Sequence, residues 1–365
     1  MKDTSFSTYK WLLPLSWLYG LVVFVRNEMF NAGWLTSRSF PIPVINVGNL
    51  TVGGTGKTPH TEYLIRLLSD KYRVAVLSRG YGRKSSGYVL ATKDMQPSMI
   101  GDEPWQMKQK FPDVYVAVDA NRRRGIERLM NDAQTRDVQV ILLDDAYQHR
   151  YVNAGLNILL VNWHRPIDKD YLLPVGRLRE SFTGRDRADI VIVSKCPEDV
   201  QQIDLRMMQH NLQLRPFQHL FFSRFRYDTL RPFFEQSPAE LIPINALKEY
   251  NVLMVSGIGC PSQMRTELTP LVKSIKTLNF PDHHSYTASN LKWAERLLSE
   301  LPSPRIAVTT EKDAARLKDI AAYDGTSEFH RSIYVLPISV EILQDKQETF
   351  NKNITDYVRN YSRNS

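Results

Sequence analysis

The chain has 365 residues, 42% hydrophobic and 24% charged, with a formal net charge of +8; this favours two domains over one and excludes a disordered or fibrous protein. Cys196 and Cys260 are the only cysteines, too few and too far apart for a disulfide framework or a zinc site, which suits a reducing cytosolic compartment and leaves oxygen to hold any metal. The basic balance fits an anionic partner, whether nucleic acid, phosphorylated substrate or acidic membrane surface, and its clusters at 79–84, 121–125 and 176–187 fall in expected loops.

Near the N-terminus, the mostly apolar run from Trp11 to Val25 lies between Lys10 and Arg26. A perpendicular spanning helix needs about 20 residues, and no small-residue cleavage site follows. The run therefore predicts a retained helix lying in, or shallowly inserted into, a membrane interface. Trp11, Trp17, Tyr19, Phe24 and Phe30 would sit at the headgroup boundary, with the flanking cations favouring anionic lipid. A buried helix packed on the body is the alternative.

Residues 41–50 form a β-branched run that predicts a buried strand, 58–70 an amphipathic helix with Tyr63, Leu64, Leu67 and Leu68 on one face, and 72–80 the next strand. A helix is expected over 101–111, a strand over 114–118, a helix over 124–132 and a strand over 138–145, followed by strands at 156–162 and 188–195. Strands alternating with helices imply an α/β fold with a mostly parallel sheet, covered on both faces. The pattern loosens around 213–250; beyond it come strands at 251–259, 305–314 and 332–339, a helix from Ser262, and a closing helix after 341. The expected organisation is an apolar membrane-associated helix (1–35), a P-loop NTPase-like domain (36–215), an inter-domain segment (216–250) and a smaller α/β domain (251–365).

Between the first strand and helix stands NLTVGGTGKTPH. Aligned on its GKT, the phosphate-loop template G-x-x-x-x-G-K-[ST] expects glycine where Thr51 is found. Gly53, Gly54 and Gly56 still leave backbone N–H groups open to phosphate, at the positive end of a helix. Lys57 can reach the β- and γ-phosphates, and Thr58 can ligate magnesium. The strand ending VILLDD supplies Asp144 and Asp145 as metal-side carboxylates. Together these predict a Mg2+-dependent nucleotide site without separating a kinase from an ATPase. A kinase also needs a group to take the acceptor's proton. Asp102 of GDEP is one candidate, and the histidines of NFPDHHSY could orient such an Asp. A partitioning-type ATPase expects Lys where Val52 stands, and no base-stacking motif or helix-turn-helix accompanies the charge to indicate nucleic acid.

In order, NLTVGGTGKTP, SRGYGR, GDEP, DDAYQH, LPVGRLRE, FPDHH and TEKDAAR, behind an apolar N-terminal helix, closely resemble the tetraacyldisaccharide 4′-kinase (lipid A 4′-kinase) family from about residue 10 to 320. The resemblance implies transfer of the ATP γ-phosphate to the 4′-hydroxyl of a tetraacylated glucosamine disaccharide 1-phosphate, giving lipid IVA at the cytoplasmic face of a Gram-negative inner membrane. By matching motif, Thr51, Val52, Gly53, Gly54, Thr55, Gly56, Lys57 and Thr58 form the ATP loop, and Thr58, Asp144 and Asp145 hold Mg2+. Asp102 is the implied catalytic base, assisted by His283, with the adjacent His284 as the other candidate. Arg79, Tyr81, Arg83, Arg122, Arg179 and Glu180 are implied to line the substrate and phosphate region, and His149 to shape its loop. No obligate protein partner and no nucleic acid are inferred.

Overall fold

The computed structural model describes residues 10–234, 240–259, 261–282, 284–317 and 328–363. Helix α1 (Leu13–Asn31) precedes β1 (Val44–Asn49), α2 (Lys57–Ser69), β2 (Val74–Ser78), β3 (Val89–Leu90), α3 (Pro97–Ile100), α4 (Asp102–Lys110), β4 (Tyr115–Val118), α5 (Arg122–Asn131), β5 (Val140–Asp144), β6 (Leu156–Asn162) and β7 (Ile190–Ser194). Next come α6 (Gln202–Leu212), β8 (His219–Tyr227), β9 (Arg231–Pro232), β10 (Asn251–Ser256), α7 (Pro261–Leu268), β11 (Ser274–Asn279), α8 (Ala288–Ser299) and β12 (Arg305–Thr310). The chain ends with α9 (Glu311–Leu317), α10 (Glu328–Ser332), β13 (Ile333–Leu336), β14 (Ile338–Ile342) and α11 (Gln347–Arg363).

Nine strands form a sheet in the order β14-β8-β7-β6-β1-β5-β2-β4-β3, parallel except at its two edges. Every residue of β1, β2, β5 and β7 is buried, because helices cover both faces; that explains why these strands read as continuous apolar runs. Leu64, Ile65 and Leu68 of α2 pack with Phe350, Ile354 and Val358 of α11 on one face. Ile126 and Leu129 of α5 cover the other. β1 lies between β5 and β6, so the loop that leaves it emerges at the carboxyl edge of the parallel strands, where α/β sheets bind ligands. A second sheet, β11-β10-β12-β13-β9, has its own core around Leu253, Val255, Ala307 and Ile333.

The division between the units differs from the sequence expectation. Strand β8, inside the segment expected to link the domains, is a full member of the large sheet beside β7, and β14 and α11 return from the smaller unit to join it. Pro337 explains why IYVLPIS splits into two strands in different sheets: it has no N–H to continue a ladder. The strand expected over 305–314 ends at Thr310, whose hydroxyl accepts the Asp313 N–H at 3.0 Å and starts α9.

Helix α1 lies along the large unit. Ser16 donates to the Leu172 carbonyl at 2.9 Å, Tyr19 to that of Arg179 at 2.9 Å and Arg26 to that of Gln148 at 2.9 Å. Phe30 is buried edge-on against Tyr151. Tyr19, Arg26 and Phe30 thus face the body rather than a headgroup layer. Trp11, Leu15, Trp17, Leu18, Leu21, Val22, Phe24 and Val25 are exposed on the opposite side. Among the described residues no helix is long and apolar enough to cross a membrane.

Candidate active site

Thr51 occupies the position where the phosphate-loop template has glycine because the chain there is extended. It forms an antiparallel bridge with Leu178, flanked by hydrogen bonds from Val52 N to Arg177 O (2.8 Å) and from Arg179 N to Leu50 O (2.7 Å). The left-handed turns come later, at Gly53 (φ 97°) and Gly56 (φ 82°), conformations that a side chain disfavours. A Cβ on Gly56 would also come within 2.5 Å of the Phe225 ring. The buried Thr55 accepts from Asn49 Nδ2 at 2.8 Å, and its carbonyl accepts from Ser194 Oγ at 2.7 Å. The loop is therefore anchored to β1 and β7, with Lys57 and Thr58 opening α2 behind it.

Lys57 Nζ stands 3.5 Å from Asp145 Oδ1, and Arg179 Nη1 stands 3.1 Å from the same oxygen. Asp145 adopts φ 49° at the strand end, a left-handed backbone conformation. Burial opposes ionisation of Asp145, but Lys57 and Arg179 together hold its carboxyl below the usual carboxylate range. Asp144 is fully buried and accepts from Thr61 Oγ1 (3.3 Å) and Ser78 Oγ (3.2 Å). Its carboxyl is pushed up to about 7, first by burial and then by the charges of Glu103 and Asp145.

That shift makes Asp144 a cost to folding at high pH. Its folded value exceeds the unfolded value of about 3.9, so the folded state holds the proton more tightly; stability is highest below the unfolded value and is lost as pH rises towards the folded one. Asp144→Asn is expected to raise the melting temperature in metal-free buffer by about 2 °C at pH 8, with a smaller rise at pH 4. Scanning calorimetry with a chelator present measures both, and an equal rise at the two pH values would rule out titration as the cause.

The other expected site residues separate by burial. Arg79 and Tyr81 are exposed. Arg83 turns inward, donating to the carbonyls of Gly87 (2.6 Å) and Val118 (3.4 Å). Arg122 is buried, bonded to the carbonyls of Asp119 (3.0 Å) and Asp144 (3.4 Å), with its Nε unpartnered; burial brings its guanidinium down to about 10. Glu180 is also buried, paired with Arg187 at 2.9 Å and accepting from Asn27 of α1 at 3.2 Å. Burial and then the nearby Arg122, Arg26 and Arg79 bring His149 down to about 4, so it is neutral near pH 7. Asp102 begins α4, and its Oδ2 accepts from Arg316 Nε of the smaller unit at 2.7 Å. His283 lies outside the described residues. His284 stacks on Phe280 and contacts Asn290 Oδ1 at 3.0 Å.

Sequence patterns gave no individual role to Glu103, Arg187, Lys195 or Arg316, although Glu103 lies in GDEP and Arg316 closes TEKDAAR. Lys195 follows β7 and places Nζ 3.6 Å from where a Cβ on Gly54 would stand. Glu103 was legible only as the neighbour of Asp102; its electrostatic effect on Asp144 emerges from the fold.

A glycine loop between a buried strand and a helix, backed by paired aspartates on the adjacent strand, defines a P-loop nucleotide-binding protein. The sequence model of one family, described as LpxK, tetraacyldisaccharide-1-P 4′-kinase, matches residues 8–359. A tetraacyldisaccharide 4′-kinase of Phocaeicola vulgatus is 52% identical over 358 residues, covering 98% of this chain and 97% of that protein. One from Bacteroides thetaiotaomicron is 49% identical over 372 residues, covering 100% and 97%. The crystal structure of an "apo" form of LpxK from Aquifex aeolicus in complex with ATP is 31% identical, with a TM-score of 0.73, and covers 95% of this chain and 98% of that one. The chain belongs to the tetraacyldisaccharide-1-P 4′-kinase family, whose members are phosphotransferases.

Proposed function

We propose that this protein transfers the γ-phosphate of ATP to the 4′-hydroxyl of a tetraacylated glucosamine disaccharide 1-phosphate, at the cytoplasmic face of the inner membrane of a Gram-negative bacterium. The observation that carries this reading is the segment from Leu172 to Glu180. One side of it is bridged to the phosphate loop through Thr51, Val52 and Leu50; the other is hydrogen-bonded to Ser16, Tyr19 and Asn27 of α1. A helix with an outward apolar face is thereby fixed to the nucleotide loop, as an acceptor held in lipid requires.

The loop amides and Lys57 would hold the β- and γ-phosphates. Asp102 would take the proton of the 4′-hydroxyl as that oxygen bonds to the γ-phosphorus and the bond to ADP breaks. His283 is the proposed partner of Asp102. Arg79 and Tyr81, exposed, are proposed to meet the acceptor, and Arg179 to reach it beside Asp145. Arg83, Arg122 and Glu180 contribute by bracing the loops that carry these residues.

The oxygen donors fit Mg2+. Burial, and after it the charges of Glu103 and Asp145, raise Asp144 to about 7, and a divalent cation would relieve that cost. Among the described residues no group of three or more acidic, histidine or cysteine side chains is placed to hold a metal ion by itself; Mg2+ is commonly bound through one or two carboxylates together with phosphate and water. Thr58, Asp144 and Asp145 would hold it. Bound there, Mg2+ neutralises charge on the phosphate oxygens. The reading needs neither a protein partner nor nucleic acid.

Incubating the purified protein with labelled ATP, Mg2+ and the tetraacyl disaccharide 1-phosphate should yield a bis-phosphorylated lipid; ATP turnover indifferent to the lipid would instead mark an ATPase. The membrane contact has its own test. Leu18→Glu combined with Val22→Glu removes two apolar side chains from the exposed face of α1 without touching its inner face. Partitioning onto anionic vesicles should weaken by about 3 kcal/mol, roughly 100-fold. Unchanged cosedimentation would show that other surfaces dominate.

A further inference from the structure

Helices α4 and α9 belong to different units and pack against each other with an ion pair at each end. Lys110 Nζ meets Glu311 Oε1 at 2.7 Å, and Arg316 Nε meets Asp102 Oδ2 at 2.7 Å. The C-terminal end of α4 therefore faces the start of α9, and the helices run antiparallel. Each charge also suits its own helix dipole, with acids in the first turn and bases in the last.

The two pairs are built differently. Lys110 and Glu311 are shared with Glu62 and Arg231, forming a chain of charges between the units. Arg316 instead rests on a buried scaffold within the smaller unit. Its Nη1 donates to Gly257 O at 3.0 Å and to Asp313 Oδ1 at 3.3 Å. Asp313, fully buried, accepts from Gly257 N at 3.0 Å and Thr310 Oγ1 at 2.8 Å. A Cβ on Gly257 would stand 3.1 Å from Asp313 Oδ1 and 3.0 Å from the Tyr286 hydroxyl, so the acid packs closely on the bare backbone. The side chain of Arg316 is 7% exposed and that of Asp313 0%. Burying two charged groups this deeply is expensive unless their geometry is fixed, and the proposed phosphoryl transfer has so far given neither a role.

We propose that Arg316 is a positioning residue: reaching across from α9, it fixes one oxygen of the Asp102 carboxylate and so sets the direction in which the other faces the acceptor hydroxyl. Asp313 in turn fixes Arg316. The base is then aligned when the two units are docked, which couples docking to proton transfer. The proposal rests on Asp102 being the proton acceptor.

The two ends of the same helix pair supply the test. Arg316→Gln should lower kcat about 100-fold with KM for ATP nearly unchanged, the cost of a misaligned reacting group. Arg316→Lys, which keeps the charge but loses the planar fork, should recover about a tenth of the wild-type kcat. Glu311→Gln breaks the ion pairs at the far end and should leave kcat within about threefold of wild type. In an Asp102→Ala background, Arg316→Gln should cost nothing further. Equal losses from Arg316→Gln and Glu311→Gln, or a full second loss in the Asp102→Ala background, would show that Arg316 merely docks the units. Wild-type turnover by Asp102→Ala alone would instead sink the base assignment. Thermal melts of each variant identify any that fails to fold; should Arg316→Gln fail, the Lys variant still decides, since wild-type kcat from it would overturn the proposal.

Discussion

Replacing Asp102 with alanine is expected to lower kcat about 10²- to 10⁴-fold, the usual contribution of a positioned proton acceptor, while KM for ATP changes little. The separation follows from where the residues stand. The nucleotide loop runs from Thr51 into α2, whereas Asp102 begins α4, after Gly101 turns the chain at φ 95°. A Cβ at Gly101 would come within 3.0 Å of the Tyr81 carbonyl, so GDEP carries its glycine for close packing against SRGYGR. Asp102→Asn is the sharper control. Its side-chain oxygen can still accept from Arg316, so the contact between units survives while the proton acceptor is lost. If the amide variant is as impaired as the alanine one, basicity rather than the ion pair is what turnover needs. Single-turnover kinetics with saturating ATP measure this directly, and an Asn variant of near wild-type rate would remove Asp102 from the chemistry.

The nucleotide loop was legible because its determinants are local. A fully buried strand, three glycines and an amphipathic helix lie within one short segment, and Asp144 and Asp145 end a strand whose burial makes it uniformly apolar. Thr51 looked like a mismatch because the template assumes glycine where this chain needs only an extended residue; the partner that holds it there, Leu178, is distant in sequence. The basic motifs were legible as motifs but not in direction. SRGYGR contributes one exposed arginine, Arg79, and one that turns inward, Arg83, and nothing in the letters distinguishes them. Strands β8 and β14 were not legible as members of the large sheet for a related reason. They lie at one end of the large sheet and are only partly buried, so neither a continuous apolar run nor a clean alternation marks them. The contact between Asp102 and Arg316 spans 214 residues and depends on the docking of two sheets, which periodicity does not encode.

Lys57→Ala should produce the second large loss, about 10²- to 10³-fold in kcat, the range seen when a donor to developing transition-state charge is removed. Its position predicts a further effect that a simple loss of phosphate contact would not cause. Lys57 lowers both aspartates. Asp145 keeps Arg179 at 3.1 Å after the change. Asp144 keeps the buried Arg122 and the Ser78 hydrogen bond, but burial, Glu103 and Asp145 continue to push it up while the opposing charge of Lys57 is gone. Because a carboxyl must lose its proton to hold a metal ion, the variant's residual activity should fall away at a higher pH than that of the wild type. The acidic limb of its kcat profile, measured at saturating ATP and a fixed Mg2+ concentration below saturation, should therefore move upward. Raising Mg2+ should bring it part of the way back, since metal and proton compete for the same oxygens. A residual rate with an unmoved acidic limb would confine Lys57 to the phosphates and detach it from the charge balance at Asp144.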